Sequence, residues 1–176
     1  MLGAAGALCC LVAGTAAGSW LKVRRLARLN MLRAVLDVLN AMRLLLETER
    51  LALPELLEKA AVYAGEGEGA EMVGKRFILA AKQLRKEPLS SVLDAYAGAC
   101  AKCAAPWEQP EERAAMESLF AHLGSGTAAM REQAAAACIR RLKPICEKAQ
   151  AEAEKSGRLC IQLGMLLGLM AGIAFW

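Results

Sequence analysis

The chain has 176 residues, about the length of one domain, and 56% of them are hydrophobic, which is high for a soluble protein. Its 22 Lys and Arg and 18 Asp and Glu give a net charge of +4. Its seven cysteines are an odd number, so they cannot all pair within the chain. Ala and Leu supply 64 residues, whereas Val, Ile and Thr supply 15, so the composition argues against β-structure and predicts an all-α fold.

Both ends of the chain are free of charged side chains. Residues 1–21 and 159–176 would span about 31 and 27 Å as helices, close to the roughly 30 Å of a bilayer core. We therefore expect a transmembrane helix at each end and a helical domain over residues 22–158. A cleaved signal peptide is the alternative for residues 1–21, but the basic residues follow the apolar run instead of preceding it.

Basic residues flank the two predicted spans on their inner sides. The positive-inside rule then places residues 22–158 in the cytoplasm, where cysteines are reduced. This distribution suits anionic lipid head groups, and because the bases follow a membrane boundary without an aromatic-basic platform it argues against a nucleic-acid partner. The juxtamembrane basic residues are Lys22, Arg24, Arg25, Arg28, Arg33, Lys155 and Arg158.

Six helices are predicted between the ends of this domain, in chain order. The first continues from the membrane span to about Arg50, the second begins near Pro54, and the third covers about 70–86 after a glycine-rich break. A fourth follows Pro88, a fifth runs to Leu123, and a sixth starts after Thr127 and merges into the last span. Pro144 within the sixth predicts a kink or a break.

Apolar residues recur at helical spacing in each segment and predict its buried face. In the first helix these are Leu32, Val35, Leu36, Leu39, Met42 and Leu46, opposite Arg33, Asp37, Asn40 and Glu47; in the fourth they are Leu89, Leu93, Tyr96, Cys100 and Cys103.

Small residues form strips in the predicted spans. Glycines four residues apart lie on one helix face, where another helix can approach closely, and such packing drives association in lipid. The predicted packing residues are Gly14, Gly18, Gly164, Gly168 and Gly172. The partner could be the other span, a second copy of the chain or another protein.

No motif in the sequence predicts a cofactor or a catalytic centre. Cys100 and Cys103 form the only CxxC, but zinc would need further ligands from Cys138, Cys146 or His122, none at a paired spacing. These cysteines continue apolar stripes, which favours packing. We therefore expect a non-enzymatic protein without a bound cofactor or metal, with a zinc or redox protein as the alternative.

In order and local pattern, the whole chain resembles the stage III sporulation protein AB family of endospore-forming bacteria. The resemblance rests on Leu32-Arg33-Ala34, on Glu47 seven residues before Pro54, and on the segments 92–96 and 117–124, followed by Gln133 and a Leu-Gly-rich end. Tyr96 stands where the family usually has Trp, and Thr127 where Asp is usual. The family is in turn similar to the six-helix cytoplasmic domains of the type II secretion platform F proteins.

This resemblance implies a mother-cell membrane protein of the secretion-like channel that joins mother cell and forespore. Its partners would be the membrane, a cytoplasmic motor ATPase, other channel proteins and, in one reading, further copies of itself. We expect an assembly platform that docks the ATPase; the alternative is an oligomeric pore subunit. The candidate docking residues are Glu47, Pro54, Glu55, Tyr96, Arg140 and Arg141.

Overall fold

The computed structural model describes residues 2–49, 51–105, 108–124 and 127–174, and their side chains from Val23 to Lys155. These residues form six α-helices and a short 3-10 turn (Val62–Ala64) and contain no strand, which confirms the all-α prediction. The helices are α1 (Leu2–Thr48), α2 (Leu53–Ala61), α3 (Glu68–Lys86), α4 (Val92–Lys102), α5 (Pro110–Leu123) and α6 (Ala128–Ala174).

The chain divides into two compact units, one of residues 27–147 and one of residues 1–26 and 148–176. The predicted membrane spans, 1–21 and 159–176, lie outside the residues whose side chains are described. Within the part of the chain that the structure describes, no helix is both long and apolar enough to cross a membrane. The two spans therefore stay predictions.

The apolar face predicted for α1 is buried within the 27–147 unit. Four of its six members are nearly inaccessible and the remaining two, Leu36 and Leu46, are half-buried at its margin, while the predicted polar face is exposed. Burial of this face, rather than intrinsic helix propensity, is the main source of helix stability in a folded domain. The four buried residues are Leu32, Val35, Leu39 and Met42.

Three aromatic side chains form the centre of this unit. Tyr96 of α4 stacks on Phe120 of α5 with ring centroids 3.9 Å apart and planes inclined by 11°. Phe77 of α3 meets Phe120 edge to face at 5.5 Å. Such ring pairs add about 0.5–1.5 kcal/mol each to the burial of their area. They hold α3, α4 and α5 together.

Glycine permits a close approach of α3 to α1. A Cβ added to Gly69 would lie 2.6 Å from the carbonyl oxygen of Ala27 and 2.9 Å from the amide nitrogen of Met31. In the loop just before it, Gly65 and Gly67 have φ values of +81° and +109°, which favour glycine. The glycine-rich segment therefore ends the 3-10 turn that follows α2 and also lets α3 begin against a neighbouring backbone.

Two expectations about helix ends are corrected by the structure. Leu89 was assigned to the buried face of the fourth helix, but its side chain is fully exposed because a turn, closed by the Ser90 amide on the Glu87 carbonyl at 3.0 Å, delays α4 to Val92. Pro144 lies inside α6, so the alternative of a break there is wrong. The start of α6 directly after Thr127 agrees with the sequence.

Candidate functional site

A buried ion pair joins α3 to the segment before α5. The Arg76 guanidinium donates to both carboxylate oxygens of Glu108, with Nη1–Oε1 at 3.0 Å and Nη2–Oε2 at 2.9 Å. The side chains are only 3% and 4% exposed. A two-pronged contact of this kind satisfies charge and hydrogen-bonding capacity together, as a buried guanidinium requires.

Arg76 also holds the start of the same connection. Its Nε donates to the carbonyl oxygen of Cys103 at 2.9 Å, so one side chain fixes both ends of the α4–α5 connection. Burial alone would lower the pKa of Arg76, but the hydrogen bond to Glu108 and the neighbouring Tyr96, Cys100 and Glu108 raise it above its ordinary value. The guanidinium therefore stays charged and acts as a structural clamp.

A second buried carboxylate stabilises the start of α5. Glu112 accepts hydrogen bonds from the Arg28 Nε at 2.8 Å and from the backbone amide of Gln109 at 3.1 Å. The latter contact is half of a capping box, in which Glu112 and the Gln109 side chain satisfy amides that the first turn leaves unpaired. Glu112 thus joins α1 to α5 and caps α5.

The sequence contains a signal for the burial of Arg76 and of Glu112, the two clamps of this domain. Arg76 lies between Val73 and Phe77 on the buried stripe of α3, and Glu112 lies three and four residues before the buried Ala115 and Met116. A charged residue in register with an apolar stripe predicts a buried ion pair, because such a charge is seldom buried without a partner. Neither residue was among the predicted site residues.

A small cavity of about 10 Å³ lies beside the two clamps. Its lining includes Tyr96, Arg76, Glu108 and Glu112 among apolar side chains of α1, α3, α5 and α6. This volume is about enough for one water molecule. The buried polar cluster therefore holds helices together and has no room for a substrate.

One thiol of the cysteine pair predicted as an alternative metal or redox site lies in surroundings that disfavour the thiolate. Cys100 and Cys103 are both half-buried at the end of α4. Burial raises the pKa of Cys100 although Arg76 opposes that effect, so its thiol is neutral at physiological pH. Among the described residues, no three Cys, His, Asp or Glu side chains lie together in an arrangement that could hold a metal ion.

His122 is exposed near the end of α5. Its Nδ1 lies 2.7 Å from the carbonyl oxygen of Ser118, and since a carbonyl only accepts, the ring nitrogen donates there. This contact closes on the helix's own last turn, where a histidine also complements the helix dipole. The geometry agrees with a structural or solvent-facing residue.

Five of the six predicted docking residues have accessible side chains. Glu47, Glu55, Arg140 and Arg141 are exposed, and Pro54 is half-buried in the first turn of α2. Tyr96, by contrast, is 2% exposed and stacked on Phe120. Its assignment to a docking surface is corrected accordingly, because a side chain that packs the aromatic core cannot also meet a partner.

The residues predicted to lie near or in the membrane are only partly described. The structure describes Arg24, Arg25, Arg28, Arg33 and Lys155. Of these, Arg28 forms an ion pair with Glu112, so its charge is not reserved for a lipid head group. The side chains of Lys22 and Arg158 lie outside those that the structure describes. The side-chain surroundings of the predicted packing residues lie outside them too; these residues are Gly14, Gly18, Gly164, Gly168 and Gly172. Their predicted roles stay predictions.

The described residues define a class: an all-helical protein whose buried charges serve to lock helices together. The family model of stage III sporulation protein AB matches residues 3–176, nearly the whole chain. The chain therefore belongs to the stage III sporulation protein AB family, as the resemblance in its sequence indicated, and this description names a sporulation protein and no reaction. No curated protein and no solved structure gave a match.

Proposed function

We propose that this chain is a non-enzymatic, membrane-anchored assembly platform of the sporulation channel between mother cell and forespore. In this proposal residues 22–158 lie in the mother-cell cytoplasm and dock a motor ATPase, and the two terminal spans pack into the channel complex. Membership of a sporulation family supports the setting. Docking is a surface function, so its support must come from the exposed residues.

The observation that carries the proposal is the contrast between buried and exposed charges. The buried residues Arg76, Glu108 and Glu112 form ion pairs within the domain. Glu47 and Glu55, by contrast, are exposed and make no ion pair or side-chain hydrogen bond with any described residue. Charges that do not hold the fold together are free to meet a partner's charges.

A second exposed pair has the opposite sign. Arg140 and Arg141 of α6 are exposed and likewise make no ion pair with the part of the chain that the structure describes. The domain therefore offers acids on α1 and α2 and bases on α6. Complementary charges steer association and fix register more than they raise affinity. An assembly platform that must orient a motor would use such charges.

The test is binding between the full-length chain in lipid nanodiscs and the sporulation ATPase of the same organism. We expect co-purification, weakened by Glu47→Lys with Glu55→Lys or by Arg140→Glu with Arg141→Glu. Lys82→Glu is the matched control, since Lys82 is also exposed but lies on α3. If both proteins are folded and do not associate at high concentration, the docking function is wrong.

A further inference from the structure

An open groove of about 340 Å³ runs between α5 and α6 within the 27–147 unit. Its floor is apolar and mostly small: Leu119 from α5, and Ala134, Ala137 and Cys138 from α6. The Cys138 thiol donates to the carbonyl oxygen of Ala115 at 3.5 Å. The thiol thus already has a hydrogen-bond partner within the protein, so the groove floor needs no polar group from an occupant.

The groove has the length and relief that a helix requires. On α6 it extends from Met130 to Arg141, about three helical turns or roughly 16 Å. Alanines along the middle let a second backbone approach closely. At one end Met130 is 55% exposed, and methionine is the side chain best able to adapt to an incoming apolar surface.

The charge of the rim selects the kind of helix. Arg141 stands on the α6 wall, and no lining residue carries a carboxylate. The exposed Arg140 lies next to Arg141, while Glu111, also exposed, lies beyond the α5 end of the lining. Arg141 makes no ion pair with a described residue, so an acidic side chain could reach it without displacing another.

We infer that the groove between α5 and α6 receives an acidic amphipathic helix of the docked ATPase. This rests on the proposed function and specifies the contact: the apolar face of the helix would fill the alanine floor, at i, i+3, i+4 and i+7 spacing, and its carboxylates would meet Arg141. Charge decides between acidic and basic helices, because a basic one would face like charge at the rim.

The first arm of the test locates the contact. The photocrosslinking amino acid p-benzoylphenylalanine replaces Ala134 in the groove or, as control, Ala129, which is exposed on the same helix outside the lining. Each full-length chain in nanodiscs is irradiated with the purified ATPase, and the crosslinked peptide is identified by mass spectrometry. We expect an acidic, helical ATPase peptide from position 134 and not from position 129.

The second arm tests charge. Arg141→Glu is expected to weaken ATPase binding by about tenfold, whereas Lys143→Glu, an equal change at an exposed position of α6 outside the groove, should leave it within about twofold. Circular dichroism confirms that both variants are folded. Arg141→Lys keeps the charge and should retain most of the binding.

The outcomes separate the groove from the platform. Suppose that the ATPase binds but crosslinks from position 129 alone, and that Arg141→Glu binds it as well as the unchanged chain does. The assignment of the groove as the binding site is then wrong, and the docking function stands. Crosslinking from position 134 to a second copy of the chain also overturns the inference, because the occupant differs. If the unchanged chain does not bind the ATPase, the docking function fails and the groove assignment fails with it.

Discussion

Arg76 and Glu108 face each other through two parallel hydrogen bonds of 3.0 and 2.9 Å while almost completely removed from solvent. Removing a buried charge from water is unfavourable, and only its partner compensates. Each side chain therefore depends on the other, because only the partner's charge offsets the free-energy cost of burying it. Mutations that remove one partner reveal this more clearly than mutations that remove both.

Glu108→Gln is expected to destabilise the protein by about 3–5 kcal/mol, because it leaves the Arg76 charge buried with a neutral partner. The double change Arg76→Met with Glu108→Leu should be milder than the sum of its single changes. Urea unfolding of the full-length chain, followed by circular dichroism, measures both. As a control, Arg85→Met breaks the exposed pair with Glu58 and should change stability by less than about 1 kcal/mol.

Glu112→Gln should lower the free energy of unfolding by about 2–3 kcal/mol. The change weakens the charged contact with Arg28 and leaves only a neutral side chain to cap the first turn of α5. Glu111→Gln is the matched control, since Glu111 lies in the same turn but is exposed. Equal losses for the two variants would show that the buried contact with Arg28 contributes nothing.

Gly69→Ala and Gly74→Ala should change stability in opposite directions. An added Cβ at Gly69 would lie 2.6 Å from a backbone oxygen of α1, so the helices must move apart, at about 1–3 kcal/mol. At Gly74 the nearest atom is 3.4 Å away, and alanine's better helix propensity should add up to about 1 kcal/mol. Thermal melting of both variants measures these changes. If Gly69→Ala left the stability unchanged, this would contradict the close approach of α3 to α1.

Periodicity was enough to predict the helices and most of the core. Residues such as Leu39 and Met42 are buried where the apolar spacing placed them, because solvent exclusion acts on the face as a whole. Leu89 was misplaced since spacing cannot show where a turn ends. Tyr96 is buried as its spacing predicts, whereas its assignment to a docking surface followed a family motif that carries no information on packing. The burial of Arg76 and Glu112 follows from their register with apolar stripes, but their partners lie 32 and 84 residues away, and spacing does not encode which residues those are.

Stability should fall at high pH partly through Cys138. Burial raises the pKa of this thiol from 9.0 to about 11. Above pH 9 the unfolded chain loses the thiol proton while the folded chain keeps it, so the contribution is complete below pH 9 and is lost as the pH rises towards 11. Its size is on the order of 2 kcal/mol.

The Cys138→Ala variant isolates that contribution from those of the other thiols. Its stability should decline less steeply than that of the unchanged chain between pH 9 and 11, as measured by urea unfolding across that range. Cys103→Ala serves as control because Cys103 is only half-buried. Parallel pH profiles for the unchanged chain and Cys138→Ala would contradict the assignment.

The charge-free ends should anchor the chain in a membrane with residues 22–158 on the cytoplasmic side. After alkaline carbonate extraction the full chain is expected in the membrane pellet. A protease site inserted between Glu66 and Gly67, in the exposed loop before α3, should be cut only when the cytoplasmic face is accessible. Cleavage from the opposite face of intact cells would reverse the topology and remove the link to a cytoplasmic ATPase.

The two clamps impose an order on synthesis. Arg28 and Arg76 are synthesised 84 and 32 residues before Glu112 and Glu108, respectively. Until Glu108 is present the Arg76 guanidinium must stay hydrated, so α3 cannot close into its final packing. Translation of residues 108–112 is thus the step that permits closure, and a chain truncated before it would lack the carboxylates that bind Arg28 and Arg76.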